Sequence, residues 1–116
     1  MGRTKEKAPK AYSLRVTETA LQDLDNITGY IAYIKHEPIN AIRVGDEILK
    51  TIDRIKKNPT AFRECEEILT SNKIYRKAIC LSWLIVFRIK HEVIVVLRII
   101  HSHRSQSIIK NLRKVK

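Results

Sequence analysis

From Trp83 to Arg104 the sequence reads WLIVFRIK, then HE, then VIVVLRIIHSHR, two runs of β-branched and aromatic residues joined by a short polar link. Such residues fit a pleated, half-buried surface, and the pattern predicts a β-hairpin at the centre of a small sheet. Pairing about a link of Lys90, His91 and Glu92 sets Ile89 opposite Val93, Phe87 opposite Val95, Ile85 opposite Leu97 and Trp83 opposite Ile99. Side chains alternate with period two, so this face is wholly apolar and is expected to be a core. The other face carries Leu84, Val86, Arg88, Ile94, Val96, Arg98 and Ile100, and is expected to be a basic surface.

Upstream, AYSLRV alternates with Tyr12, Leu14 and Val16 on one side, which predicts a short first strand. Thr17 can cap a helix, and Glu18 sits where the helix dipole favours a negative charge. Ala20, Leu24, Ile27, Ile31 and Ile34 then recur at helical spacing and form one buried stripe. The break comes at Lys35, His36 and Glu37, before Pro38, which suits the first turn of a second helix. Ala41, Val44, Ile48, Ile52 and Ile55 make its stripe, with Leu49 beside it, and Asn58 and Pro59 end it. Residues 58–73 form a polar connection. Ile74 to Cys80 is a third strand, turned by Leu81 and Ser82 into the hairpin. A two-residue turn puts Lys77 on the basic face, and a three-residue turn puts Arg76 there; both remain open. The fold class is α+β: a strand, an antiparallel helical hairpin, then a three-stranded antiparallel meander. Residues 1–10 read as a flexible basic arm, 11–104 as a single domain, and 105–116 as a basic tail or short amphipathic helix carrying Ile108, Ile109, Leu112 and Val115.

Charge changes the picture most. The 23 Lys and Arg against 12 Asp and Glu leave a net charge of +11, which attracts phosphates and acidic proteins. No acid follows Glu92, whereas Arg98, Arg104, Lys110, Arg113, Lys114 and Lys116 are basic. Two cysteines, Cys65 and Cys80, make no disulfide framework, and no apolar run follows the basic start as in a secretory signal. The apolar run Val93 to Leu97 is interrupted by Arg98 and falls short of the ~20 residues of a membrane span. A cytoplasmic protein without membrane attachment is the expectation. Glu64, Glu66 and Glu67 beside Cys65 lack clean ligand spacing, so ion pairing with the basic sheet is preferred to a metal site. No cofactor motif is present.

In order and spacing, ALQDLDNITGYIAY, PINAIRVGDEILKTIDRIKKNP, IYRKAICLSWLIVFRIK and VIVVLRIIHSHR resemble the RelE/ParE superfamily of bacterial type II toxin–antitoxin toxins. The resemblance covers Tyr12 to about Arg104. It implies a sheet curved around one side with the helical hairpin on the other, and a cognate antitoxin partner in a hetero-oligomer. It also implies one of two targets. RelE-like members cleave messenger RNA on the ribosome, while ParE-like members bind DNA gyrase.

Cleavage by a 2′-hydroxyl needs a proton acceptor, cations for the charged phosphorane and a proton donor for the leaving oxygen. RelE-like toxins meet this with Lys and Arg on the concave sheet, an Arg on the third strand and a Tyr near the C-terminus. Here the third-strand position falls at Leu84, and no tyrosine follows Arg104. A remaining ribonuclease constellation would be Lys77, Arg88, Arg98, His101, His103 and Arg104, with a histidine as acid or base. LRIIHSHR looks more like the last strand of ParE. On that reading the protein is no enzyme, and Arg76, Lys77, Arg88, Arg98, His103 and Arg104 are the target-binding residues. His101 shares parity with Leu97 and Ile99 and is expected at the core edge, bonding a backbone group. Two alternatives are a non-toxic basic nucleic-acid-binding module, for which stacking aromatics are poorly placed, and a toxin that has lost its activity.

Overall fold

The hydrophobic periodicities resolve into four strands and two helices in the computed structural model, which describes residues 11–66, 74–104 and 108–109. Strand β1 (Ser13–Val16) leads into helix α1 (Glu18–Gly29), a π-helical segment (Tyr30–Ile34) and helix α2 (Pro38–Lys57). After a 3-10 turn at Pro59–Ala61 come β2 (Tyr75–Cys80), β3 (Trp83–Lys90) and β4 (Val93–His101), and a 3-10 turn at Ser102–Arg104. The strands lie in the order β1-β4-β3-β2. The meander is antiparallel, and β1 joins β4 in parallel, from Ser13 beside Val93 to Val16 beside Val96.

Thr17 starts α1 by accepting the Ala20 N–H on its hydroxyl at 3.1 Å. Ala20 and Ile31 are buried, with Leu24 and Ile27 packed at their margin. Ile34, which helical spacing places in the same stripe, is instead 64% exposed. The cause is the π-helical segment, where the Lys35 N–H donates to Tyr30 O, five residues back, at 3.1 Å. One extra residue per turn rotates everything beyond it relative to a 3.6-residue helix. In α2 no such slip occurs, and Ala41, Val44, Ile48, Ile52 and Ile55 are all buried, while Leu49 stays exposed.

The central hairpin departs from the expected register. Its turn is the two residues His91 and Glu92, so Lys90 faces Val93, Ile89 faces Ile94 and Phe87 faces Val96. A bulge then places Leu97 as an extra residue, and pairing resumes with Val86 opposite Arg98, Ile85 opposite Ile99 and Trp83 opposite His101. A bulge leaves one residue unpaired and shifts the alternation beyond it by one. Ile94 and Val96 before the bulge and Ile99 after it therefore join Ile85 and Phe87 under the helices. Val95 and Leu97, expected there, lie on the opposite side.

That opposite side is not the basic surface the alternation predicts. Leu84, Val86, Val95, Leu97 and Ile100 pack with Cys65, Tyr75 and Ile109 into a second buried cluster, with Ile74 and Ile108 at its edge. The sheet is sandwiched between two apolar layers. This is why β3 and β4 read as nearly continuous apolar runs.

Both residues of the His91–Glu92 turn have positive φ, 53° and 66°. A two-residue hairpin turn of this hand favours Asn-Gly, and side chains with a full Cβ resist it. Replacing the pair with Asn-Gly (His91→Asn with Glu92→Gly) is expected to stabilise the fold by about 1–2 kcal/mol. A higher urea midpoint at unchanged slope would show this.

Candidate interaction surfaces

The basic residues singled out from the sequence are dispersed over the sheet. The two-residue turn at Leu81 and Ser82 pairs Lys77 with Val86 and Tyr75 with Arg88, so Lys77 and Arg88 share the second face. Arg88 is half-buried, and its Nε is buried with no partner among the described residues. Arg76 falls on the helix side. It donates to Phe62 O at 2.6 Å and reaches Thr60 O at 3.4 Å, tying the connection after α2 to β2.

Arg98 is likewise engaged within the protein. β1 stops at Val16, which leaves the outer edge of β4 without a strand from Leu97 onward. The Thr17 hydroxyl donates to Leu97 O at 3.1 Å, and Asp23 of α1 accepts the Ile99 N–H at 2.9 Å. Arg98 turns around this edge and meets Asp23 side-on, Nε to Oδ2 at 2.8 Å and Nη2 to Oδ1 at 3.0 Å. The side chains are 26% and 12% exposed. A two-pronged guanidinium–carboxylate pair with an added backbone donor saturates Asp23.

His101 lies opposite Trp83 and contacts it edge to face, with ring centroids 6.0 Å apart. Its Nδ1 accepts the His103 N–H at 3.2 Å, and the two imidazoles stack at 5.1 Å. His103 is exposed. The side chain of Arg104 lies outside the described residues, as do Glu67 and the tail beyond Ile109. Arg88 pairs with Val95, six residues before His101 along β4, a run of roughly 20 Å in a strand. The two sit on opposite faces of the sheet. Lys77, Arg88, Arg98, His101 and His103 are therefore not assembled around one phosphate.

What the geometry does assemble is a groove of about 710 Å3 between the helical hairpin and the end of β4. Asp23, Tyr30, Lys35, Trp83, His101 and His103 are among its walls, and Ile27, Ile31, Ile99 and Ile108 supply its apolar surface. None of Asp23, Tyr30 and Lys35 was singled out from the sequence. The one available signal was Asp23 itself, a carboxylate three residues after Ala20 and thus at the border of the buried stripe.

A model of the ParE toxin of the type II toxin–antitoxin system parDE matches residues 14–106. The chain belongs to the ParE toxin family. No curated protein matches it significantly. Among solved structures, the chromosomal ParDE toxin–antitoxin system from P. aeruginosa superposes on this ParE-family chain with a TM-score of 0.63 at 24% identity, covering 78% of this chain and 96% of that one. A mutant of the E. coli toxin RelE in the free state gives 0.60 at 15% identity over 92% and 100%. The RelBE2 toxin–antitoxin complex from Mycobacterium tuberculosis gives 0.52 at 19% over 79% and 99%. At such identities the superpositions establish a shared fold. Among the described residues, no helix of the ParE-family chain is long and apolar enough to cross a membrane.

Proposed function

We propose that this chain inhibits bacterial growth in the manner of ParE-like toxins, by binding DNA gyrase, and that a cognate antitoxin neutralises it. The observation that carries the reading is the family match over residues 14–106. The sheet supports it chemically. Leu84, where the resemblance to RelE-like members calls for an arginine, is 7% exposed inside the second apolar cluster. Arg98 is neutralised by Asp23, and the imidazoles lie across the sheet from Arg88. Cations that stabilise a phosphorane and groups that move its protons must converge within hydrogen-bond reach of one another. Among the described residues they do not, so binding rather than RNA cleavage is the activity these side chains suit.

The test uses purified full-length protein in two assays. Loss of gyrase supercoiling activity, with no cleavage of mRNA on translating ribosomes, is the expected result. Ribosome-dependent cleavage with gyrase unaffected would replace this reading with the RelE-like one. In cells, expression is expected to arrest growth, and co-expression of the adjacent reading frame is expected to restore it.

A further inference from the structure

The fold leaves large apolar side chains exposed at the tip of the helical hairpin. Tyr33 and Ile34 end the π-helical segment, Ile39 and Ile42 lie in the first turns of α2, and all four are between 63% and 79% exposed. The π-helical slip turns Ile34 away from the core. At ~100° per residue, Ile39 stands on the opposite side of α2 from the fully buried Ile48. Only Lys35, His36 and Glu37 join the two helical segments, so the four side chains lie close together. They leave roughly 500 Å2 of surface, toward the upper end of what a monomeric protein exposes in one apolar patch.

We infer that this tip binds the tip of a second copy of the chain about a two-fold axis, with the two α2 helices antiparallel and Ile39 of each copy against Ile42 of the other. Charge selects the occupant. The whole chain carries +11, but from Tyr33 to Asp46 two cations, Lys35 and Arg43, are matched by two anions, Glu37 and Asp46. A patch without net charge favours neither phosphates nor acidic segments, and it is where two copies repel each other least. Charge also selects the orientation. Asp46 lies seven residues after Ile39, and Lys35 seven before Ile42. Both are exposed, and neither the ammonium nor the carboxylate makes an ion pair among the described residues. The antiparallel contact sets Lys35 of each copy against Asp46 of the other, whereas a parallel contact sets Asp46 against Asp46. The same rotation turns Arg43 toward Glu37 of the other copy. Asn40 holds both on one ridge, accepting from Arg43 Nη2 at 2.9 Å and donating to Glu37 Oε1 at 3.1 Å. A groove of about 450 Å3 along Pro38, Ile39 and Arg43 gives the incoming isoleucine a seat. With these polar residues as a rim, the contact approaches the ~800 Å2 per partner of a stable dimer. A contact of this symmetry closes at two copies. Nothing in it depends on which target the toxin meets.

Sedimentation of the full-length protein over a concentration series is expected to show a reversible shift from one chain of 13.5 kDa to two. Ile39→Glu, at an exposed position, is expected to weaken the dimer tenfold or more while its circular dichroism stays that of wild type. Lys35→Glu alone and Asp46→Lys alone are each expected to weaken it about five- to tenfold. The two together should return to within about threefold of wild type, because the exchanged charges meet again across the axis. A protein that stays a single chain throughout overturns the inference. So does a dimer that Ile39→Glu leaves unchanged, which places the contact elsewhere. Failure of the double variant to recover overturns the antiparallel register. A single chain whose Ile39→Glu variant no longer binds gyrase, or the product of the adjacent reading frame, assigns the tip to that partner and also overturns the self-contact.

Discussion

Replacing Asp23 with alanine is expected to lower stability by about 3 kcal/mol, a large share of what a domain of this size commands. Three acceptor bonds disappear at once. The Ile99 N–H loses its partner at an edge where no strand can replace it, and the Arg98 guanidinium is left three-quarters buried without a counter-charge. The remaining exposure of Arg98 keeps the loss below that of a fully buried pair. A fall in melting temperature of roughly 10–15 °C is the corresponding observable. Asp23→Asn keeps one acceptor for Ile99 and should lose only about half as much. Arg98→Met made together with Asp23→Ala should recover about 1–2 kcal/mol, because the unpaired charge is removed along with its partner. Equal stability of Asp23→Ala and wild type in urea would show that the pair does not hold α1 to the β4 edge.

Phe87→Ala is expected to cost about 4 kcal/mol through the lost transfer of the ring and the cavity left in its place. Phe87 is fully buried and meets Phe62 edge to face, with centroids 5.9 Å apart at 88°. It anchors the segment after α2 to the middle of the sheet at the point where the bulge begins. Phe87→Leu fills most of the volume and should lose only about 1–1.5 kcal/mol. Urea unfolding of the three proteins with a common slope would verify the order. A loss below 1 kcal/mol for the alanine variant would mean that the site collapses around it.

The elements of this fold were legible because their signals are local. The cap at Thr17, the proline at Pro38 and the stripe through Ala41, Val44, Ile48, Ile52 and Ile55 each depend on neighbours a few residues away, and α1, α2 and the meander appear where these signals place them. Two departures share one origin, a single residue added to a regular repeat. The π-helical segment exposes Ile34, and the bulge at Leu97 exchanges which β4 residues face the helices. Neither leaves a mark in the hydrophobic pattern, since VIVVLRII is apolar on both parities. For the same reason the second apolar layer was hidden: its covering residues, among them Cys65, Tyr75 and Ile109, come from distant parts of the chain.

The candidate surface was harder to read than the fold. A positive charge in a strand says that a cation is present, not which partner it meets, and Asp23 lies 75 positions from Arg98. Arg98 and Arg76 look like target-binding groups in the sequence, and both are occupied by the protein's own acceptors. His101 was the easier case, since its parity beside Ile99 put it at the core edge, where it accepts the His103 N–H.

The parallel pairing of β1 with β4 also bears on how the chain is made. Thr17 waits for a partner 80 residues downstream, whereas β2, β3 and β4 are joined by two-residue turns and can zip in sequence. Long loops close slowly, and contacts distant in sequence are made late. During synthesis the amino-terminal strand and the start of α1 have nothing to dock on until β4 has cleared the ribosome. Any chain that has not yet made β4 is therefore expected to lack both the closed sheet edge and the groove beside it.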